Sequence, residues 1–363
     1  MSAYITHMGT ANPPHRISQN DVHSFMVKAH QLNDNEANDL KVLYRASGIS
    51  HRYSVLGDYS KKDDFEFYAN SDDLEPFPGT KKRADLYAVH ACDLSIAAIH
   101  NCLPKEFDFS EITHLITVSC TGLYAPGLDI DLVMRLGLER SVERIGINFM
   151  GCYAAFNAIK TARAICGHNA TAKVLVVCIE LCSIHFQKQK TGDNLLSNAL
   201  FGDGAAALLI QSQPSSEVAF KINNMLCDLL PNGAEDMAWK IGDFGFEMKL
   251  SSYVPDIIET GIHQLSDRLK AHEGGIRYDH YAIHPGGKKI LSVIEKELGI
   301  TKENNRHAHE VLRQFGNMSS PTIIFVLQSL HQALGAANEG EKILALAFGP
   351  GLTLESMTME VVT

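Results

Sequence analysis

The amino-acid sequence predicts a layered α/β protein made of two similar halves, and three observations carry that prediction. Short β-branched or apolar runs alternate with segments of helical spacing, the local order being strand, turn, helix. The run AKVLVVCIEL at 172–181 is apolar almost throughout, as expected of a strand covered on both faces. Two Gly-rich turns feed strands at comparable places, FGDGAAALLI at 201–210 and FGPGLTLESM at 348–357. A layered core follows from such a pattern.

In chain order, HLITVSC (114–120) reads as a strand and LDIDLVMRLGL (128–138) as a helix ending at a small-residue break. RIGINFM (144–150) is a strand, CYAAFNAIKTARAIC (152–166) a helix, and 172–181 the buried strand. FGDGAAALLIQ (201–211) then precedes a polar stretch, SQPSSE. We place the boundary between the halves there, near Ser212 to Ser216, giving halves 1–212 and 213–363. The second series holds a strand in YDHYAIH (278–284) and helices in KKILSVIEKEL (288–298) and SPTIIFVLQSLHQAL (320–334). It closes with the strands KILALAF and LTLESMTMEV. The region EDMAWKIGDFGFEM (235–248) receives no element.

Bulk properties narrow the function. A chain of 363 residues with 45% hydrophobic content can bury one large core or two fused ones. A net charge of −10 argues against a general nucleic-acid surface, although KKR at 81–83 is a local basic patch. No stretch has the 18 apolar residues of a spanning helix, and the start MSAYITHMGTANPPHR has no secretory pattern, so no membrane and a cytoplasmic location are expected. The eight cysteines sit mostly in apolar runs without metal-site spacing, which predicts reduced thiols and no metal centre.

Three residues stand out chemically. Cys152 follows Gly151 where a strand gives way to a helix. A helix N-terminus favours a thiolate, and a sharp strand-to-helix turn presents a nucleophile; a buried structural cysteine is the alternative. His284 ends a strand and precedes the side-chain-poor turn PGG, either as a base or as a histidine satisfied by its turn. Asn317, in FGNMSS, is either a helix cap or a hydrogen-bond donor. Together Cys, His and Asn suit thiol activation and oxyanion stabilisation. The papain-like local signature around the cysteine is absent.

Six motifs in register cover essentially the whole chain: GTANPP, GC at 151–152, ALFGDGAAAL (199–208), HPGG (284–287), GNMSS (316–320) and FGPGLTLE (348–355). In these the sequence resembles the chalcone/stilbene synthase superfamily, the type III polyketide synthases, and more a microbial-type member than a plant chalcone synthase. The resemblance implies the thiolase fold, two halves in a five-layered αβαβα arrangement, and a homodimer. It makes Cys152 the acyl-accepting nucleophile, His284 and Asn317 its partners, and Phe201 and Met248 the gatekeepers. Ala125, Glu180, Cys182, His185 and Ser319 fall on pocket-lining positions, with Ala125 where plant enzymes send a methionine across the dimer. His185 departs from the plant pattern, which puts chalcone formation in doubt.

Arg45 and Arg52 lie in the segment that binds CoA, and Gly286 and Gly287 would let the pantetheine arm pass. For each arginine a solvated surface charge is the alternative. The implied reaction loads an acyl-CoA starter on Cys152 as a thiolate paired with protonated His284. Malonyl-CoA is then condensed decarboxylatively and the chain cyclised to a pyrone, resorcinol or related product, with no cofactor or metal. A ketoacyl-carrier-protein synthase III-like enzyme and a non-catalytic acyl-binding homologue are the competing readings.

Overall fold

A computed structural model of the chain describes residues 2–214, 218–251, 253–275 and 277–363. Part of the expected boundary, Ser215 and Ser216, lies outside the described residues. The strands are β1 (Ala3–Ala11), β2 (His15–Ser18), β3 (His51–Ser54), β4 (His114–Ser119), β5 (Glu143–Asn148), β6 (Lys173–Leu181) and β7 (Asp203–Gln211). They continue with β8 (Ala219–Leu229), β9 (Met237–Gly242), β10 (Gly245–Leu250), β11 (His280–Ile283), β12 (Lys342–Gly349) and β13 (Thr353–Val362). The helices are α1 (Gln19–Ala29), α2 (Asp34–Ala46), α3 (Thr80–Cys102), α4 (Leu128–Leu136) and α5 (Ala154–His168). After them come α6 (Gly192–Leu200), α7 (Val254–Glu273), α8 (Lys288–Leu298), α9 (Arg306–Phe315) and α10 (Thr322–His331).

The strand order β11-β12-β13-β8-β1-β7-β6-β4-β5 contains one arrangement twice. In the first half β4 runs parallel to β6, β6 antiparallel to β7, and β7 antiparallel to β1. In the second, β11 is parallel to β12, β12 antiparallel to β13, and β13 antiparallel to β8. The two meet where β1 pairs antiparallel with β8, Ala3 opposite Ile222. β5 is an additional parallel edge strand on the first half.

Small residues allow a helix to sit deep between the halves. In α5, Ala154, Ala155, Ala158 and Ala162 are fully buried and bring its backbone close to β4, β6 and β7 on one side and β13 on the other. α10 occupies the same layer through Ile323, Ile324, Val326 and Leu327 and touches β1, β7 and β11. Each such large side chain contributes about 1.5–3 kcal/mol by burial. On the outside, α3 covers β1, β6 and β7. Ile258, Ile262, Leu265 and Leu269 form the buried stripe of α7, in the cluster that also holds Leu354 of β13. The layers are therefore helix, sheet, helix, sheet, helix, the thiolase-like α/β arrangement.

Local patterning set several bounds closely. α8 spans 288–298 and stops at Gly299, whose φ of 65° closes the helix in the left-handed region. The region 235–248, without a predicted element, forms the hairpin β9–β10. Cys152 lies in a 3₁₀ turn, Gly151–Tyr153, one turn ahead of α5 rather than inside it. Asn317 is five residues short of α10, so it does not cap that helix.

Candidate active site

The topology delivers the chemistry to the carboxyl ends of the parallel strands. Ser119 of β4 lies beside Asn148 of β5, and Leu181 of β6 faces Asp203 of β7, so Cys120, Cys152, Cys182 and Phe201 emerge at one end. In the other half His284 follows β11 and Phe348 lies in the last two residues of β12. Pockets in open α/β sheets form outside such strand ends.

The nucleophile turn is held in costly backbone geometry. Phe149 has φ 60° and Gly151 φ 79°. A Cβ on Gly151 would stand 2.3 Å from Pro350 Cδ, so only glycine fits between β5 and the 350 loop. The Gly151 N–H donates to Cys120 Sγ at 3.0 Å, and Cys152 follows directly. Strain of this kind persists where surrounding structure over-determines it.

Asn317 stands against the thiol. Its amide lies beside Cys152 Sγ, Oδ1 at 3.8 Å and Nδ2 at 3.9 Å. Oδ1 already accepts the Ser319 N–H at 2.8 Å, so the NH₂ group is the part left for a ligand. Ser319, itself at φ 58°, also hydrogen-bonds the thiol.

His284 is wholly buried and packs edge-on against Phe348, with ring centroids 5.4 Å apart. Neither of its ring nitrogens has a hydrogen-bond partner among the described residues. Buried polar atoms are seldom left so; His284 is itself off the wall of the cleft that its neighbours Gly286 and Phe348 line.

Burial works against the expected thiolate–imidazolium pair. Burial pushes the Cys152 thiol up to about 12, only partly offset by hydrogen bonds from Ser319 and Asn317. Burial also holds the His284 imidazole down to about 3. Desolvation opposes the charged form of each.

A cleft of about 1140 Å³, its open mouth included, is lined by Cys152, Asn317, Phe201, Met248, Cys182, His185, Ser319 and Gly286. Gly287 is not on its wall. Ala125 is exposed on the surface and lies off the cleft of its own chain, as a position expected to reach across a dimer would. Two expectations are corrected. Glu180 lies wholly behind the wall, its carboxylate accepting the Cys120 N–H (2.8 Å), the Thr121 hydroxyl (2.8 Å) and the Ser320 hydroxyl (2.6 Å). Its carboxyl is raised to about 7, chiefly by burial. Arg52 reaches the cleft wall but is buried rather than set out on the surface for a phosphate, its Nε and NH1 donating to Gln19 and the Phe201 carbonyl. Arg45 is exposed in the last turn of α2.

His185 contributes surface rather than acid–base chemistry. Its Nδ1 accepts the Phe246 N–H at 3.0 Å, so Nε2 carries the proton and donates to the Thr121 carbonyl at 2.7 Å. The ring stacks on Phe246 at 4.2 Å and 8°, with Trp239 edge-on at 5.9 Å. Trp239 Nε1 donates to the Cys120 carbonyl at 2.6 Å, and Trp239 pairs across the hairpin with Met248. Trp239, Phe246, Cys120 and Thr121 line the cleft without having been picked out from the sequence. For the hairpin residues a signal existed: Met237 and Trp239, then Phe246, Met248 and Leu250, alternate at period two around the turn GDFG.

Among the described residues no group of three His, Cys, Asp or Glu side chains is placed to hold a metal ion, and no helix is long and apolar enough to cross a membrane. The model of the chalcone and stilbene synthase N-terminal domain matches residues 2–214, and that of the C-terminal domain matches 221–363. An α-pyrone synthesis polyketide synthase-like protein, Pks18 of Mycobacterium tuberculosis, is 30% identical over 369 residues, covering 99% of this chain and 91% of the relative. Probable polyketide synthase 1 of Dictyostelium discoideum is 33% identical over 258 residues, 68% of this chain and 8% of that much longer protein. Among solved structures, the C-terminal type III polyketide synthase domain of Steely1, a type I/III hybrid from Dictyostelium, superposes with a TM-score of 0.91 at 28% identity, covering all of both chains. PKS-I of the brown alga Ectocarpus siliculosus gives 0.89 at 28% identity, over 99% of this chain and 98% of that one.

Proposed function

The chain belongs to the chalcone and stilbene synthase family as a type III polyketide synthase, a decarboxylating, condensing acyltransferase of CoA thioesters, and from that premise we propose roles for its residues. Cys152 Sγ attacks the acyl carbonyl of a starter CoA thioester; its proton passes to His284 and on to the departing CoA thiolate. Malonyl-CoA then sets its thioester carbonyl against Asn317 Nδ2 and His284. Carbon dioxide leaves, its bonding electrons form an enolate stabilised by those donors, and the enolate carbon attacks the Cys152 thioester, releasing the thiolate. The electrons come from the malonyl carboxylate, so the cycle calls for no cofactor. The observation that carries this reading is the Asn317 amide, its oxygen committed to Ser319 and its NH₂ group 3.9 Å from the thiol.

For the finer points, an aliphatic starter and an α-pyrone product are favoured. Support comes from the apolar wall of Trp239, Phe246, Met248 and Leu250, and from the name of the mycobacterial relative. The CoA phosphates are assigned to Arg45 and to Lys288, whose stem crosses Gly48 at the start of α8. The working form is read as a cytoplasmic homodimer. Support for the dimer lies in the open edge of β5 and in Leu123 and Met134, 57% and 70% exposed. The competing carrier-protein synthase and non-catalytic homologue are not favoured by the family match.

The test is to incubate purified protein with malonyl-CoA and short, long-chain and aromatic acyl-CoAs, following CO₂ and products by mass spectrometry. Pyrones or resorcinols are expected, and Cys152→Ala abolishes them. Lack of product with every starter would overturn the assignment.

A further inference from the structure

Arg52 is only 6% exposed and, among the described residues, has no carboxylate bonded to it and keeps one guanidinium nitrogen without a partner. A buried cation so incompletely satisfied is expensive. Its two engaged nitrogens show what it does. Nε donates to Gln19 Oε1 at 3.0 Å, and the Gln19 amide in turn donates to the Ala199 carbonyl at 2.8 Å. NH1 donates to the Phe201 carbonyl at 2.5 Å. Both arms therefore end on the segment 199–201, at the end of α6.

That segment is joined to the oxyanion segment by two backbone bonds. Asn317 N–H donates to the Leu200 carbonyl at 2.9 Å, and Gly202 N–H donates to the Asn317 carbonyl at 2.9 Å. The arginine stem lies behind both strands of this small ladder: a Cβ on Gly202 would stand 3.4 Å from Arg52 Cβ, and one on Gly316 3.0 Å from Arg52 Cγ. The buried Asp203 carboxylate is taken by Val55 N–H and by Ser183. A planar fork can hold two acceptors at a set spacing; an ammonium cannot.

We propose that Arg52 is a positioning residue for the decarboxylative step: its fork fixes the gatekeeper segment at Phe201 and, through the 200–202/317 ladder, the Asn317 amide against Cys152. The inference rests on Asn317 being a donor to the enolate. Loading of Cys152 draws chiefly on the thiol and on His284 as its base, and less on this ladder.

The experiment is a double-mutant cycle with Arg52→Gln and Asn317→Ala in the full chain. Malonyl-CoA decarboxylation is measured per active site, with active sites counted by intact-mass detection of the acyl group on Cys152. A displacement of about an ångström costs up to about 10²-fold, so Arg52→Gln alone should lower decarboxylation about 10- to 100-fold while loading stays close to wild type. In the Asn317→Ala background the same change should add less than about threefold, since residues acting through one another are not additive. Equal losses in both backgrounds, or an Arg52→Gln enzyme that decarboxylates like wild type, overturn the proposal for Arg52 alone. An Asn317→Ala enzyme that decarboxylates normally overturns the site reading with it. If the glutamine variant does not fold, Arg52→Lys serves the same cycle, because it keeps the stem behind Gly202 and Gly316 and removes only the fork.

Discussion

Replacing Asn317 by aspartate isolates the donor that decarboxylation is proposed to need. The substitution is isosteric and retains an oxygen to accept the Ser319 N–H, now at 2.8 Å, so the left-handed Ser319 and the turn beyond it keep their anchor. What changes is the group 3.9 Å from Cys152 Sγ, from an NH₂ donor to an acceptor. Loss of one oxyanion donor costs about 10²–10³ in rate, or about 2.7–4 kcal/mol. A carboxylate would also repel the developing enolate; at 4 Å and an effective dielectric constant of 20 this adds about 4 kcal/mol. At pH 8 the Asn317→Asp enzyme should therefore decarboxylate malonyl-CoA at least about 10³-fold more slowly, while acyl loading, read by intact mass, falls far less. The position is only 2% exposed, so burial raises the new carboxyl, and its protonated form is a donor. Activity should accordingly recover in part as pH falls towards 5.5. Asn317→Ala should show the loss without the recovery. A rate for Asn317→Asp within tenfold of wild type at pH 8 would refute the assignment of Nδ2 as the donor.

Three further outcomes follow from packing and charge. Gly151→Ala places a methyl 2.3 Å from Pro350 Cδ at φ 79°, and the left-handed penalty plus overpacking should destabilise by about 2–5 kcal/mol; an unchanged urea midpoint would contradict the close approach. Glu180→Gln should change the pH dependence of stability. The native carboxyl, raised to about 7, keeps a proton that the unfolded chain gives up near 4.5, so the wild type loses about 3 kcal/mol as pH rises through that window and the glutamine variant does not. Parallel melting curves for the two proteins from pH 4.5 to 8 would count against it. Lys160→Met leaves Glu355, 1% exposed and held at 2.8 and 3.0 Å, without its cation, at a cost near the lower end of about 3–5 kcal/mol; adding Glu355→Gln should restore most of that in chemical denaturation, and a failure to restore it would remove the ion pair as the cause.

Much of the fold was legible because its signals are short-range. The apolar run at 172–181, the helical spacing at 288–298 with its closing Gly299, and the Gly-Cys break at 151–152 each report on neighbouring residues. The three candidate residues stood out for the same reason, since each sits beside a turn that constrains its own backbone. The hairpin β9–β10 was missed although its period-two pattern was present, because its turn GDFG interrupts it after only a few residues.

Whether a polar residue faces a cavity, a wall or solvent is decided by segments far away in the chain. Arg52 looks like a surface charge in ISHRY, yet residues 199–202 and 316 enclose it. Glu180 ends a strand as a pocket residue would, but Thr121 and Ser320 close around it from other elements. Ala125 occupies a pocket position in the motif and lies on the outer surface of its own chain. The charge states belong to the same class: the sequence supplied a thiol at a helix start and an imidazole at a strand end, and the depth of burial pushes the thiol up and the imidazole down. Sequence by itself therefore determined the strand and helix alternation of 114–211 and 278–363 in outline, the repeated half, the family and three candidate reactive side chains. Tertiary structure decided their solvation and their partners, because desolvation and hydrogen bonding depend on atoms brought together across well over a hundred residues.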